Sequence, residues 1–264
     1  MDYNKPTDVV RTMVDTAETK LALEPRDLLI RGALSGALLG TATSLAFGAA
    51  ATTGQPIVGA LIFPVCFVMI VLLGLELVTG SFALLPLAAL SGRGSWSSVV
   101  ANWSWVFLGN LLGSIAYGAL LAIALTNMGM AAPAGVAAKI IATAEAKTIA
   151  YEALGVAGMV TVFVKAMLCN WLVCLGVVMA MTSTSTIGKI VGAWLPITTF
   201  FAQGPTGMLM GAKVSVAEWW LWNQIPVTLG NIVGGALFTG IALYITYKPA
   251  RPMATVAPSS VPAE

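Results

Sequence analysis

Glu76 lies in an apolar run that starts near Ile57 and ends near Leu90, bracketed by Gly74 and Gly80 and followed by Thr79. Lys165 and Asn170 interrupt a second apolar stretch, Gln203 lies in a third, and Lys147 stands in the polar connection before the second. An unpaired charge in low dielectric costs many kcal/mol and is tolerated only when paired, hydrogen-bonded or neutralised. Side chains of these types, at these places, can strip water from a small ion and bond it. They do not assemble a nucleophile with its base. The chain has no histidine, which removes the side chain best suited to exchanging protons near neutral pH and the simplest metal ligand. Cys66, Cys169 and Cys174 all fall in apolar runs without zinc-ligand spacing and read as small buried hydrophobes. The expectation is a protein without metal, cofactor or enzymatic activity.

The elements that must hold these groups follow from composition. The 264 residues are 58% hydrophobic and 9% charged, with a mean hydropathy of +0.89, against about 25% charged in a soluble domain. This is an all-α polytopic membrane protein embedded in the lipid bilayer. Its net charge of +2 gives no reason to invoke nucleic acid. Residues 1–27 form a polar segment whose Val10, Met13, Val14, Ala17 and Leu21 recur at helical spacing, an amphipathic helix lying on a membrane face or against the bundle. Six spans occupy 28–247, at about 28–51, 57–90, 98–126, 153–181, 187–210 and 219–247. Residues 248–264, rich in Pro, Ala and Ser, form a disordered tail.

The second span is too long to cross a bilayer straight, because about 20 helical residues suffice. It must be broken, and non-helical backbone survives at membrane depth only where it is buried in protein or lines a cavity. Pro196 and Pro205 are expected to kink the fifth span, and Trp219, Trp220 and Trp222 to mark an interface. Basic residues concentrate on one side: Lys5, Arg11, Lys20, Arg26, Arg31, Arg93, Lys189, Lys248 and Arg251, against Lys139, Lys147 and Lys213. That bias places both termini in the cytoplasm of a cell (inner) membrane protein.

The halves repeat. Asn102 and Asn110 in the third span correspond to Asn223 and Asn231 in the sixth, and Arg31 to Lys165. Three spans per half give opposite orientations, hence an inverted 3+3 repeat with its site near the midplane. The asparagines and the small residues Gly109, Gly113, Gly230 and Gly234 read first as helix-packing devices.

Four motifs together resemble the formate/nitrite transporter family: Glu76-Leu-Val-Thr-Gly, Asn102-Trp with Gly109-Asn110, Cys169-Asn-Trp-Leu-Val-Cys, and Ile225-Pro-Val-Thr-Leu-Gly-Asn. The resemblance spans nearly all of 28–247. It implies an aquaporin-like protomer with both half-repeats broken, and a homopentamer with one pore per protomer. It also implies that each pore conducts a small anion such as formate, nitrite or bicarbonate, or its conjugate acid. By position, Thr79 and Asn170 match polar residues of the central chamber and Lys147 a basic residue of the outer vestibule. Phe63, Phe67, Leu77, Val78, Val173 and Phe200 fall where the family has apolar constrictions.

The fifth span departs from the family, which carries a Phe-Glu-His motif there. The simplest alignment omits the histidine-bearing segment. A competing one matches Gln203-Gly-Pro-Thr-Gly to Glu76-Leu-Val-Thr-Gly and makes Gln203 the polar stand-in. Either way no histidine transfers a proton, so hydroxyl and amide donors, helix-end NH groups and the field of Lys147 or Lys165 must offset dehydration. Glu76 would repel anions if it faced the lumen. It is expected to structure the break, bonded by loop NH groups or Lys165. Three functions remain open: an anion channel, a channel for neutral small solutes, and a sealed scaffold or sensor.

Overall fold

The computed structural model of the chain describes residues 2–198 and 211–247. Helix α1 (Pro6–Leu21) precedes α2 (Pro25–Thr53), α3 (Pro56–Ile62), α4 (Pro64–Leu72), α5 (Val78–Leu90) and α6 (Trp96–Thr126). The second half has α7 (Val136–Ala146), α8 (Ile149–Glu152), α9 (Gly155–Met181), α10 (Thr186–Ile197) and α11 (Val216–Tyr247). The expected spans correspond to α2, α3–α5, α6, α9, α10 for the described part of the fifth, and α11. The continuation of the fifth span, with Phe200, Gln203 and Pro205, lies outside the described residues, as do Lys248, Arg251 and the expected tail. Helices of α2, α6, α9 and α11 are each long and apolar enough to cross a membrane.

Punctuation in the sequence explains the boundaries. Pro6, Pro25, Pro56 and Pro64 stand in the first turns of α1 to α4, where a missing NH costs nothing. Ser95, Ser185 and Ser215 cap α6, α10 and α11, the last in a reciprocal capping box with Glu218. The break after α4 is a left-handed cap. Gly74 takes φ +62, Leu75 N–H donates to the Ile70 carbonyl at 3.0 Å, and Gly74 N–H to Val71 at 3.3 Å. This paired pattern ends a helix where only glycine adopts the required conformation at low cost. Gly92 closes α5 in the same way.

The connection at 127–152 holds more structure than its polarity suggested. Ala137, Ile140 and Ala144 bury one face of α7, with Ala137 and Ile140 in a cluster with Phe47 of α2. The 3.6-residue spacing was present, but Lys139 and Glu145 on its other faces masked it.

Matching contacts establish the inverted repeat. Gly109 of α6 packs on the Leu29 carbonyl and Gly113 on that of Ala33, both in α2; Gly230 and Gly234 of α11 pack likewise on Phe163 and Met167 of α9. A methyl group at any of the four would overlap backbone, so small residues here set helix separation. The symmetry reaches further than the spans. Asn102 Nδ2 donates to the Lys20 carbonyl at 2.9 Å, and Asn223 Nδ2 to the Lys147 carbonyl at 2.9 Å. Lys20 ends α1 and Lys147 ends α7, so these two flanking helices are also repeat mates. Helix α11 contains two π-helical stretches, Trp220–Gln224 and Ala236–Ile241, and the first carries Asn223.

Helix α1 is docked on the bundle. Val9, Val10, Met13, Val14 and Ala17 are buried in a cluster with Leu84, Leu85, Leu87 and Ala88 of α5. Its start is tied by Asn4 N–H to the Thr182 carbonyl at 2.8 Å and Thr184 N–H to Asp2 at 2.9 Å. Arg93, in the turn after α5, pairs with Asp15 at 2.6 Å and with Glu18.

Candidate functional site: a two-chambered path through the protomer

The broken second span sits between two cavities. The larger, about 700 Å³, is walled by Phe63, Thr79, Lys147, Lys165, Asn170 and Val173 among others. The smaller, about 470 Å³, opens beneath α1 and is walled by Asn4, Thr16, Lys20, Ser81 and Lys189 among others. Phe67 and Leu77 line both and are the candidate neck between them. Thr79 faces the larger chamber while Gly80 and Ser81 face the smaller one, so the first turn of α5 bridges the two. No acidic residue is among the described residues lining either chamber, whereas each holds two lysines.

Glu76 is held away from this path. It is 2% exposed, and both carboxylate oxygens accept from Lys20 Nζ at 2.7 Å. The partner is therefore the lysine at the end of α1. Lys165, expected alongside loop NH groups as a partner, donates instead to the Tyr151 hydroxyl at 3.0 Å in the opposite chamber. The sequence could not pair Glu76 with Lys20 because 56 residues and a whole helix separate them.

Asn110 fixes the break. Its Nδ2 donates to the carbonyls of Gly32 and Glu76, each at 2.9 Å, and its Oδ1 accepts from Val78 N–H at 3.0 Å. One amide thus ties α2, the break and the start of α5 to α6. Asn170 works similarly from the other side. Fully buried, it donates to the Thr79 carbonyl at 3.1 Å and the Asn231 carbonyl at 2.7 Å, and Cys174 Sγ also points at Thr79 O, at 3.2 Å. Both Asn170 donors are consumed by backbone, and two carbonyl partners fix which amide atom is nitrogen. Asn170 Oδ1 and Asn231 Oδ1 have no partner, and both residues line the larger chamber. Val78 belongs to a different environment from the other constriction candidates: it is buried with Leu28, Phe82 and Val106.

Lys147 has its pKa pushed down to about 8 by burial, an effect that neighbouring Cys169 opposes and the Lys165 charge adds to. Gln224, whose Nε2 bonds Asn223 Oδ1 at 2.9 Å, and Tyr151 also line this chamber. Neither carried a sequence signal beyond its polarity.

An inverted repeat of six spans, broken in the second and enclosing two lysine-bearing cavities that share an apolar wall, is the architecture of a membrane channel or transporter. The chain belongs to the formate/nitrite transporter family: residues 7–245 match that family. It is 34% identical over 273 residues to a probable formate transporter of Methanothermobacter thermautotrophicus, covering 93% of this chain and 97% of the relative. A formate channel of Bacillus thuringiensis is 29% identical over 94% of this chain and 97% of its own length. The nitrite transporter NirC of Escherichia coli is 28% identical over 88% of each. Among solved structures, an FNT family ion channel superposes with TM-score 0.73 at 24% identity, covering 91% of this chain and 99% of that one. A pentameric formate channel with formate bound gives 0.66 at 25%, covering 84% and 97%. These are channels and transporters, not enzymes.

Leu77→Ala should widen the neck. Solute flux through reconstituted protein is expected to rise about threefold, with a stability cost of about 2–5 kcal/mol for the truncated side chain. Stopped-flow light scattering of liposomes reads the first effect and detergent denaturation the second. Flux unchanged by Leu77→Ala would remove this residue from the path.

Proposed function

We propose that the chain conducts small monovalent anions of the formate and nitrite type, as a homopentamer with one pore in each protomer. Residues 28–247 carry the pore, and residues 1–27 cap it on the cytoplasmic side of the inner membrane, where both termini lie. The observation that carries this reading is the junction of two lysine-bearing, acid-free chambers at Phe67 and Leu77 beside Thr79. The lysine fields draw an anion to each mouth. The neck and the Phe63 and Val173 walls strip its water, and the Thr79 hydroxyl with the N-terminal end of α5 offsets part of that cost. Phe200 is assigned to the neck by the family resemblance.

Gln203 is assigned as a further donor on sequence separation. It stands 56 residues beyond Lys147, as Glu76 stands 56 beyond Lys20. With no histidine in the chain, the pore passes anions without a histidine-mediated proton transfer. In this reading the Asn170 amide donors shape the chamber by holding α5 to α9.

A second reading is favoured by the partnerless acceptors Asn170 Oδ1 and Asn231 Oδ1. Acceptors welcome an O–H or N–H donor and not an anion, so the solute would cross as a neutral acid or another small uncharged molecule.

Formate flux into liposomes, measured against pH, separates the two. A neutral acid falls about tenfold in concentration for each pH unit above its pKa, so its flux should fall that steeply from pH 6 onward and carry no current. Anion flux assisted by Lys147 carries current and holds steady below about pH 7. It declines as pH rises through about 8, where Lys147 loses its charge. Thr79→Val is expected to lower the anion current several-fold, and an unchanged current would remove Thr79 from the path. No flux in any form would favour a sealed scaffold or sensor and overturn the transport reading.

A further inference from the structure

Four lysines line the two chambers, and their surroundings differ. Lys20 is neutralised in place by Glu76. Lys165 is not: its Nζ meets the Tyr151 hydroxyl at 3.0 Å and stands 5.2 Å from the centre of the same ring. Phenol and ring face hold an ammonium group in position without cancelling its charge. Among the described residues no carboxylate is in ion-pair contact with Lys165. The acids on the flanking segments have other partners: Glu145 accepts from the Lys213 backbone, Glu218 from that of Ser215, and Glu152, next to Tyr151, is hydrogen-bonded to Glu218.

The arrangement is built by backbone geometry. Gly155 takes φ +55 at the start of α9, and Gly158 lets the Tyr151 carbonyl pack where any side chain would overlap it. The short helix α8 is thereby pressed against the first turns of α9, with Tyr151 reaching Lys165. Tyr151, Lys165, Cys169 and Lys147 all line the larger chamber. Lys165 is also close enough to Lys147 to lower its proton affinity.

We propose that Lys165, held by Tyr151, is a second anion-collecting group at the mouth of the larger chamber, setting the affinity with which a small oxyanion enters beside Lys147. Tyr151 accepts from the ammonium, so its own O–H remains to donate. The pair therefore offers N–H and O–H donors to the two oxygens of a carboxylate or nitrite. The repeat mate of Lys165, Arg31, is not among the described residues lining the smaller chamber, so this lysine–tyrosine pair has no counterpart there. The inference rests on the anion-conducting reading, and its test separates the two.

Formate flux into liposomes bearing the full-length protein is measured against formate concentration for the wild type, Lys165→Met, Lys165→Arg and Tyr151→Phe. Losing one ammonium charge at this range should raise the half-saturating formate concentration about fivefold in Lys165→Met, leaving saturating flux unchanged. Lys165→Arg should stay within about twofold of wild type, and Tyr151→Phe should shift about twofold. An unchanged half-saturation, or a loss of saturating flux that arginine does not rescue, overturns the proposal.

A second readout needs no conduction. The rates at which negatively and positively charged methanethiosulfonates modify Cys169 report the potential in the chamber. The ratio should favour the anionic reagent in wild type and fall about fivefold in Lys165→Met. An equal ratio in both, or no labelling of Cys169 by either reagent, overturns the proposal even if formate flux is robust. A changed ratio without flux upholds the collecting role and overturns conduction.

Discussion

Lys20→Met should destabilise the protein more than any other single charge removal. It leaves the Glu76 carboxylate, 2% exposed, without the one cation among the described residues that bonds both its oxygens. Breaking a buried pair from one side costs about 3–5 kcal/mol, because the remaining charge is dehydrated and uncompensated. The reverse change is milder. Glu76→Gln leaves Lys20, whose side chain is 18% exposed and can swing its ammonium toward water in the smaller chamber. Lys20→Met with Glu76→Leu removes both charges, and most of the lost stability should return. Thermal unfolding in detergent should therefore rank Lys20→Met well below Glu76→Gln, with a midpoint roughly 10 °C under wild type and the double variant recovering most of that drop. Equal midpoints for the two single variants would mean that the pair is not a buried one. The same variant has a functional reading. Lys20 closes α1 onto the break, so its loss frees Leu77 at the neck, and the flux it permits should be less selective for anion size.

Much of this architecture was legible because membrane physics leaves few choices. A 34-residue apolar run containing Glu76 could not remain a straight helix, and Gly74 marked the place where it turns. The repeat showed through Asn102 and Asn110 against Asn223 and Asn231, since small and polar residues are retained where helices must touch. What could not be read was direction. Asn170 is a chamber residue by position, but its donors point to the carbonyls of Thr79 and Asn231, and no spacing rule tells which end of an amide meets the lumen. Val78 and Leu77 are neighbours in sequence, yet Leu77 lines the neck and Val78 packs against Leu28 and Phe82. The break, neither helix nor strand, has no period from which to infer facing. The role of α1 was equally hidden: its apolar stripe fits a membrane surface as well as it fits α5, and the burial of that stripe on α5 with the ion pairs of Lys20 and Arg93 decides between them.

Asn110→Leu should be the most damaging neutral substitution around the break. Leucine matches the amide in size but offers no bond to the Gly32 carbonyl, the Glu76 carbonyl or Val78 N–H, all three of which Asn110 now satisfies. A buried backbone group left without a partner costs about 1–3 kcal/mol, and water entering from a chamber can relieve only part of it. A net loss of about 3–5 kcal/mol follows, together with a break free to shift. Thr79 and Leu77 belong to the segment that Asn110 anchors, so anion current should fall at least tenfold even in protein that still inserts and assembles. Asn231 occupies the equivalent place in α11, but its Oδ1 has no partner, and Asn231→Leu should cost less than half as much stability. The comparison isolates the anchoring role, because both substitutions place the same leucine beside the same kind of packed glycine interface. Denaturation midpoints and liposome currents for the two variants side by side decide the matter. If Asn231→Leu proves the more harmful, the second half-repeat carries the critical break and Asn110 is helix-packing glue.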